Sequence, residues 1–155
     1  MLWYRVFGMS DKPVSAAGLL AHLRGQGFAV ASTVQGADND WSHVDLVHAD
    51  GREPVAVDRY HVGRDGLRSE LNTWAAWLET REDDPNHERL LDAMTKSVQV
   101  FLLRQEDEPD NAERTGRTQG LCLAACRYLA GVAEGVYQAD GLGFFTADGH
   151  LLMTE

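Results

Sequence analysis

A chain of 155 residues with 44% hydrophobic content is long enough for one domain with a packed core and too short for two. Fourteen Lys and Arg against 24 Asp and Glu leave a net charge of -10, which disfavours duplex nucleic acid and anionic membrane surfaces, because both are bound by neutralising negative charge. No run approaches the roughly 20 apolar residues of a membrane span, so the expected partners include neither nucleic acid nor membrane.

Leu2 to Phe7 is a short β-prone run closed by Gly8. No basic region precedes a longer apolar stretch, so it reads as a first strand and not as a secretion signal. Two cysteines without an export signal point to a reducing cytosol. The preference for Arg over Lys, with abundant Ala and Gly, matches the usage of a GC-rich bacterial genome.

Ser10-Asp11-Lys12-Pro13 supplies helix-start chemistry. Ala17, Leu20, Leu23 and Arg24 follow at helical spacing until Gly25 and Gly27 end the segment. Strand character resumes from Phe28 to Val34, and residues 36–40 form a polar loop. Asp50-Gly51 then separates two alternating segments, Trp41 to Ala49 and Arg52 to His61, and predicts a two-residue type I′ turn. That turn fixes the register. Val44 faces Val57 and Leu46 faces Val55 on one surface, while Trp41 faces Tyr60, His43 faces Asp58 and Asp45 faces Ala56 on the other.

Leu67, Leu71, Trp74 and Leu78 form the stripe of an amphipathic helix from Asp65 to about Thr80. After the acidic break at residues 82–85, a shorter helix includes Leu90, Leu91 and Met94. Val98 to Leu103 is apolar on both faces, as a central strand would be. A charged loop leads to a long helix from Ala112 to about Glu134, with Leu121, Ala125, Tyr128, Leu129 and Val132 facing the core and Gly135 as its cap. Asp140-Gly141 and Asp148-Gly149 punctuate a small β-meander over residues 136–153. The order β-α-β-β-β-α-α-β-α-β-β predicts a single α+β domain spanning 1–155. Its expected form is a two-layer sandwich with a mixed or antiparallel sheet, helices mainly on one face, and a ferredoxin-like or split βαβ core with added hairpins.

No phosphate-binding loop, dinucleotide fingerprint, nucleophile elbow, zinc-protease helix or EF-hand loop is present. Cys122 and Cys126 share a helix face, but their spacing is not that of a Cys-x-x-Cys motif and no second pair exists. Their apolar neighbours make them core residues, and no metal or cofactor is expected. The pair His43 and Asp58 admits two readings. A carboxylate beside an imidazole is what a general base or metal ligand needs; it is equally a cross-strand ion pair worth about 0.2–1 kcal/mol. With Trp41, Asp45 and Tyr60 beside it, this face is the expected binding surface. Trp77, at the margin of its helix stripe, either widens the core stripe or serves as a further aromatic anchor of the binding surface. The expected function is a small cytosolic, non-enzymatic interaction or regulatory domain that binds another protein or pairs with itself as a homodimer. The alternative is a small enzyme or ligand-binding protein using the His–Asp pair on an open sheet face.

Overall fold

In the computed structural model of the chain, residues 1–48 and 53–155 are described. The Asp50-Gly51 turn lies outside them, but the register it predicts is present: His43 pairs with Asp58, Val44 with Val57, Asp45 with Ala56 and Leu46 with Val55. The elements are β1 (Leu2–Gly8), α1 (Ala16–Gly25), β2 (Val30–Ala37), β3 (Asp40–His48), β4 (Val55–His61), α2 (Arg68–Glu79), α3 (His87–Lys96), β5 (Gln99–Gln105), α4 (Ala112–Val132), β6 (Gly135–Ala139), β7 (Gly143–Thr146) and β8 (Leu151–Met153). The eight strands form one sheet in the order β2-β3-β4-β5-β1-β6-β7-β8, and every pairing is antiparallel.

Beneath this order lies a ferredoxin-like frame. Helix α4 carries the chain from β5 to β6 across β1, a split βαβ unit, and α1 carries it from β1 to β2 across β5 and the β3–β4 pair. The β3–β4 hairpin and α2–α3 are spliced into this frame between β2 and β5, and β7–β8 extends the other edge. Strands β1 and β5 run in opposite directions and their crossovers leave toward opposite edges. A shared right-handed sense therefore puts α1 and α4 on the same face. They pack there on Tyr4, Val6, Val44, Val57, Phe101 and Leu103.

The second face has its own helices. α2 and α3 link the antiparallel neighbours β4 and β5, a connection the handedness rule leaves free. Leu71, Leu78, Leu90 and Met94 close over Phe7, Val100, Val136 and Phe144. They cover one end of that face, the rung Tyr60–Val100–Phe7–Val136. The next rung, Asp58–Leu102–Arg5, meets the margin of α2, where Arg5 lies 5.2 Å from the Trp74 ring and Leu102 lines a small cavity with Leu71 and Trp74; the rung after it, Ala56–Arg104–Trp3, runs out past α2. Arg104 is exposed and Trp3, Arg5, Asp58 and Leu102 are half-buried.

Two local expectations change. Helix α1 starts later than residues 10–13 suggest: Ser15 is its N-cap and accepts from the Gly18 amide, and Asp38 reaches from the β2–β3 turn to accept from Ser15 Oγ and the Ala17 amide. At the end of α4 the left-handed residue is Glu134, at φ 54°, not Gly135. Gly135 is needed for a different reason. A Cβ there would lie 1.8 Å from the Phe7 carbonyl oxygen, so only glycine lets β6 approach β1 at this rung.

Candidate functional site

Strict alternation along β3 would put Trp41, His43 and Asp45 on one face. The structure corrects the first of these. Gln35 pairs with His43 but Gly36 pairs with Trp41, so Ser42 is an extra residue, a β-bulge that reverses the parity of everything before it. Gly36, at φ 105°, makes the bulge feasible, since a Cβ there would lie 2.8 Å from the Asp40 carbonyl oxygen. Trp41 therefore turns into the core under α1, 2% exposed. It donates its indole N–H to the Val14 carbonyl at 2.8 Å and packs on Phe101 at 5.7 Å between ring centres. It does not pair with Tyr60, and it meets the surface only where it lines the groove described below.

His43, Asp45 and Asp58 do come together. Asp58 Oδ1 lies 2.6 Å from His43 Nδ1, and Asp45 Oδ1 lies 2.9 Å from Nε2. The imidazole is thus clamped between two carboxylates, one across the strand pair and one two residues along β3. Partial burial works against its charged form, but the two carboxylates outweigh this and raise its pKa above the usual histidine value. As an imidazolium with both N–H groups donating, it has no lone pair to take a proton or bind a metal.

Tyr60 stands on the next rung. Burial, then the neighbouring Asp58, Glu70 and Asp65, raises its phenol above the ordinary range, so it is a neutral hydroxyl at physiological pH. Beyond it the 61–65 turn closes through Asp65 Oδ2, which accepts from the His61 amide at 2.6 Å. Between this turn and the bulge runs a polar groove of about 480 Å³, into which His43, Asp58, Arg59, Tyr60, His61 and Arg64 converge. Arg59 is 6% exposed; its Nε donates to Gln99 Oε1 at 3.1 Å, and its Nη1 lies 3.6 Å from Asp40. Burial and the nearby Arg59 and Arg64 push His61 below the usual histidine value despite Asp40 and Asp65. The two histidines of the groove are therefore shifted in opposite directions from the usual value. Arg59 and His61 stand on β4 and Arg64 in the turn after it, and nothing in their spacing marked them beforehand.

Trp77 lies elsewhere. It sits on the far side of α2, half-buried, with its ring 5.8 Å from Phe144 and 6.0 Å from Trp74 and the Arg81 guanidinium 4.6 Å above it. It belongs to the rim of the second core and not to the His43 surface. Cys122 and Cys126 are free and fully buried under the sheet. Burial pushes the Cys122 thiol up to about 12 and that of Cys126 well above its usual value, so neither forms a thiolate under ordinary conditions.

The rest of the open half-face mixes apolar and cationic groups. Leu102 separates the His43 cluster from Arg5 and Arg104. Arg104 lies over the Trp3 ring at 5.9 Å, while Arg5 is held by Gln138 and Asp140 at 2.7 and 2.9 Å. Among the described residues no group of three or more His, Cys, Asp or Glu side chains is arranged to hold a metal ion, and no helix is long and apolar enough to cross a membrane. No protein-family model matches the chain, and neither the curated proteins nor the solved structures hold a match to it.

Proposed function

We propose that this chain is a non-enzymatic interaction domain that binds a protein partner through the open half of its second sheet face. The observation that carries the reading is the clamp on His43. Both ring nitrogens are spent on Asp45 and Asp58, so the group best placed for base catalysis keeps no free ring nitrogen and is held in a polar cradle. Around it the face offers what partner surfaces use: a half-buried Trp3 stacked under Arg104, an apolar Leu102 at the centre, and charged groups already held in place. Two free, buried thiols and the absence of any disulfide among the described residues agree with a reducing compartment, and the cytosol is the location we assign.

One observation favours a second reading, a small enzyme or ligand-binding protein. The groove at His43 is concave and gathers ionisable groups of both signs. Catalysis by His43 would require it to release one carboxylate.

The test uses the intact protein as bait in an extract of its source cells. The expected result is a retained protein that Leu102→Asp releases and that Arg117→Ala, an exposed change on α4, leaves bound, with both variants shown to be folded by circular dichroism. Retention indifferent to Leu102→Asp would remove the half-face from the reading. Direct detection of a neutral His43 with a free ring nitrogen at neutral pH, by nitrogen NMR, would favour the second reading instead.

A further inference from the structure

We propose that β2 is a self-association edge, along which a second copy of this chain adds its own β2 antiparallel to the first and continues the sheet. This edge is separate from the open half-face.

An edge strand presents unpaired backbone N–H and C=O groups, and proteins that must stay apart blunt such edges with Lys, Pro, inward charges or very short strands. The two edges of this sheet differ. β8 is three residues long. β2 is eight residues, VASTVQGA, with no charged side chain and no proline, in a chain of which 25% is charged. Ala31, Thr33, Val34 and Gln35 are all exposed, and Val34 is among the few large apolar side chains left at the surface, 36% exposed. The bulge beside it displaces Ser42 of β3, the inner neighbour, and lies opposite the far end of β2, between Gln35 and Gly36.

Charge selects the occupant. A molecule carrying -10 repels its own copies over most of its surface, and an uncharged strand is where two copies approach without like charges meeting. A strongly basic partner would be matched by acidic side chains along this edge, and there are none. The ends of the strand are complementary as well. Arg24 is anchored at the start, its Nε donating to the Val30 carbonyl at 2.9 Å, and the Asp38–Asp40 turn lies at the finish. Antiparallel pairing about a two-fold axis carries Arg24 of each copy toward residues 38–40 of the other. A parallel neighbour would set like beside like.

The two-fold also fixes parity. An axis normal to the sheet keeps α1 and α4 of both copies on one face, so residues facing each other across the new edge must lie on the same face of β2. Even numbers meet even and odd meet odd, Ser32 against Val34 for example, and a shift by one residue is forbidden.

Sedimentation velocity of the wild-type chain over a roughly thousand-fold concentration range is the test. The expected result is a monomer–dimer equilibrium that Val34→Lys and Thr33→Lys each weaken by about tenfold or more, since each sets two like charges across the new pairing. Both changes are at exposed positions, and circular dichroism checks that the variants fold. A wild-type chain that stays monomeric throughout would overturn the proposal. So would a dimer indifferent to both lysines. A dimer abolished by Leu102→Asp but untouched by the lysines would likewise overturn it and assign self-association to the open half-face.

Discussion

Trp41→Phe separates two placements of the same residue. If alternation held along all of β3, Trp41 would lie on the open face, and trimming its ring would change stability by no more than about 0.5 kcal/mol. In the core two costs combine. The indole N–H that serves the Val14 carbonyl at 2.8 Å is lost, and an unpaired buried acceptor costs about 1–3 kcal/mol. The missing five-membered ring portion leaves a void between α1 and Phe101, with a loss of about 1–2 kcal/mol in transfer and cavity terms. Discounted for relaxation, the expected loss is about 2–4 kcal/mol. Urea unfolding followed by far-ultraviolet circular dichroism measures it, with the denaturant slope unchanged if only the native state is affected. Trp3, Trp74 and Trp77 remain in the variant, so fluorescence is the poorer probe. A loss below about 0.5 kcal/mol would refute the bulge as the reason for Trp41's burial.

Other consequences are as specific. His43 is raised in the folded state, so its charged form adds stability that is fully present below the unfolded histidine value, near ~6.5, and is lost as pH rises through the folded value. The gap in unfolding free energy between wild type and His43→Gln should therefore be widest at mildly acidic pH, about 1 kcal/mol after screening at this partly exposed site, and should close on the alkaline side; a gap that widens with pH contradicts the clamp. Cys122 and Cys126, buried and far from thiolate formation, should not react with a disulfide-exchange reagent at mildly alkaline pH until denaturant is added, and rapid labelling of the native chain would contradict their placement. Gly135→Ala should destabilise by about 2–4 kcal/mol, because its methyl group meets the Phe7 backbone rather than a side chain that can swing aside; thermal unfolding measures this, and a change within experimental error would mean β6 does not approach β1 so closely.

What the residues announced in advance follows the range of the forces that fix them. The hairpin register was readable because each alternating pair, such as Val44 with Val57, constrains every other pair. The β5 strand was readable from its apolarity on both faces, and it is one of the two middle strands of the sheet, flanked by β4 and β1. The α2 stripe was readable too, although the helix begins at Arg68 and not at Asp65, where the 61–65 turn competes for the backbone. The insertion of β3–β4 between β2 and β5 was not readable, since strand order depends on contacts far apart in sequence. The bulge left only an indirect trace, Gly36 on the facing strand, because Ser42 itself is an ordinary strand residue. Of the expected surface, His43, Asp45, Asp58 and Tyr60 lie where alternation puts them; Trp41 was lost to that one-residue slip. Trp77 was separated from the rest by the packing of α2 on Phe144.

The bulge also explains why a polar cradle can sit on an otherwise well-packed hairpin. A strand whose entire odd face carried Trp41, His43 and Asp45 would have to choose between burying the indole and solvating the aspartates. The extra residue at Ser42 removes that conflict. Trp41 anchors the start of β3 to the α1 side through Val14, while His43 and Asp45, one bulge later, face the opposite side and meet Asp58. Asp40, just ahead of the anchor, is left at the rim within 3.6 Å of Arg59 and 3.9 Å of His61. One buried ring thus fixes the strand that supplies both the clamp on His43 and one wall of the groove. A surface made this way is held by the core beneath it, with its charges paired within the chain, which is what the binding face proposed above requires.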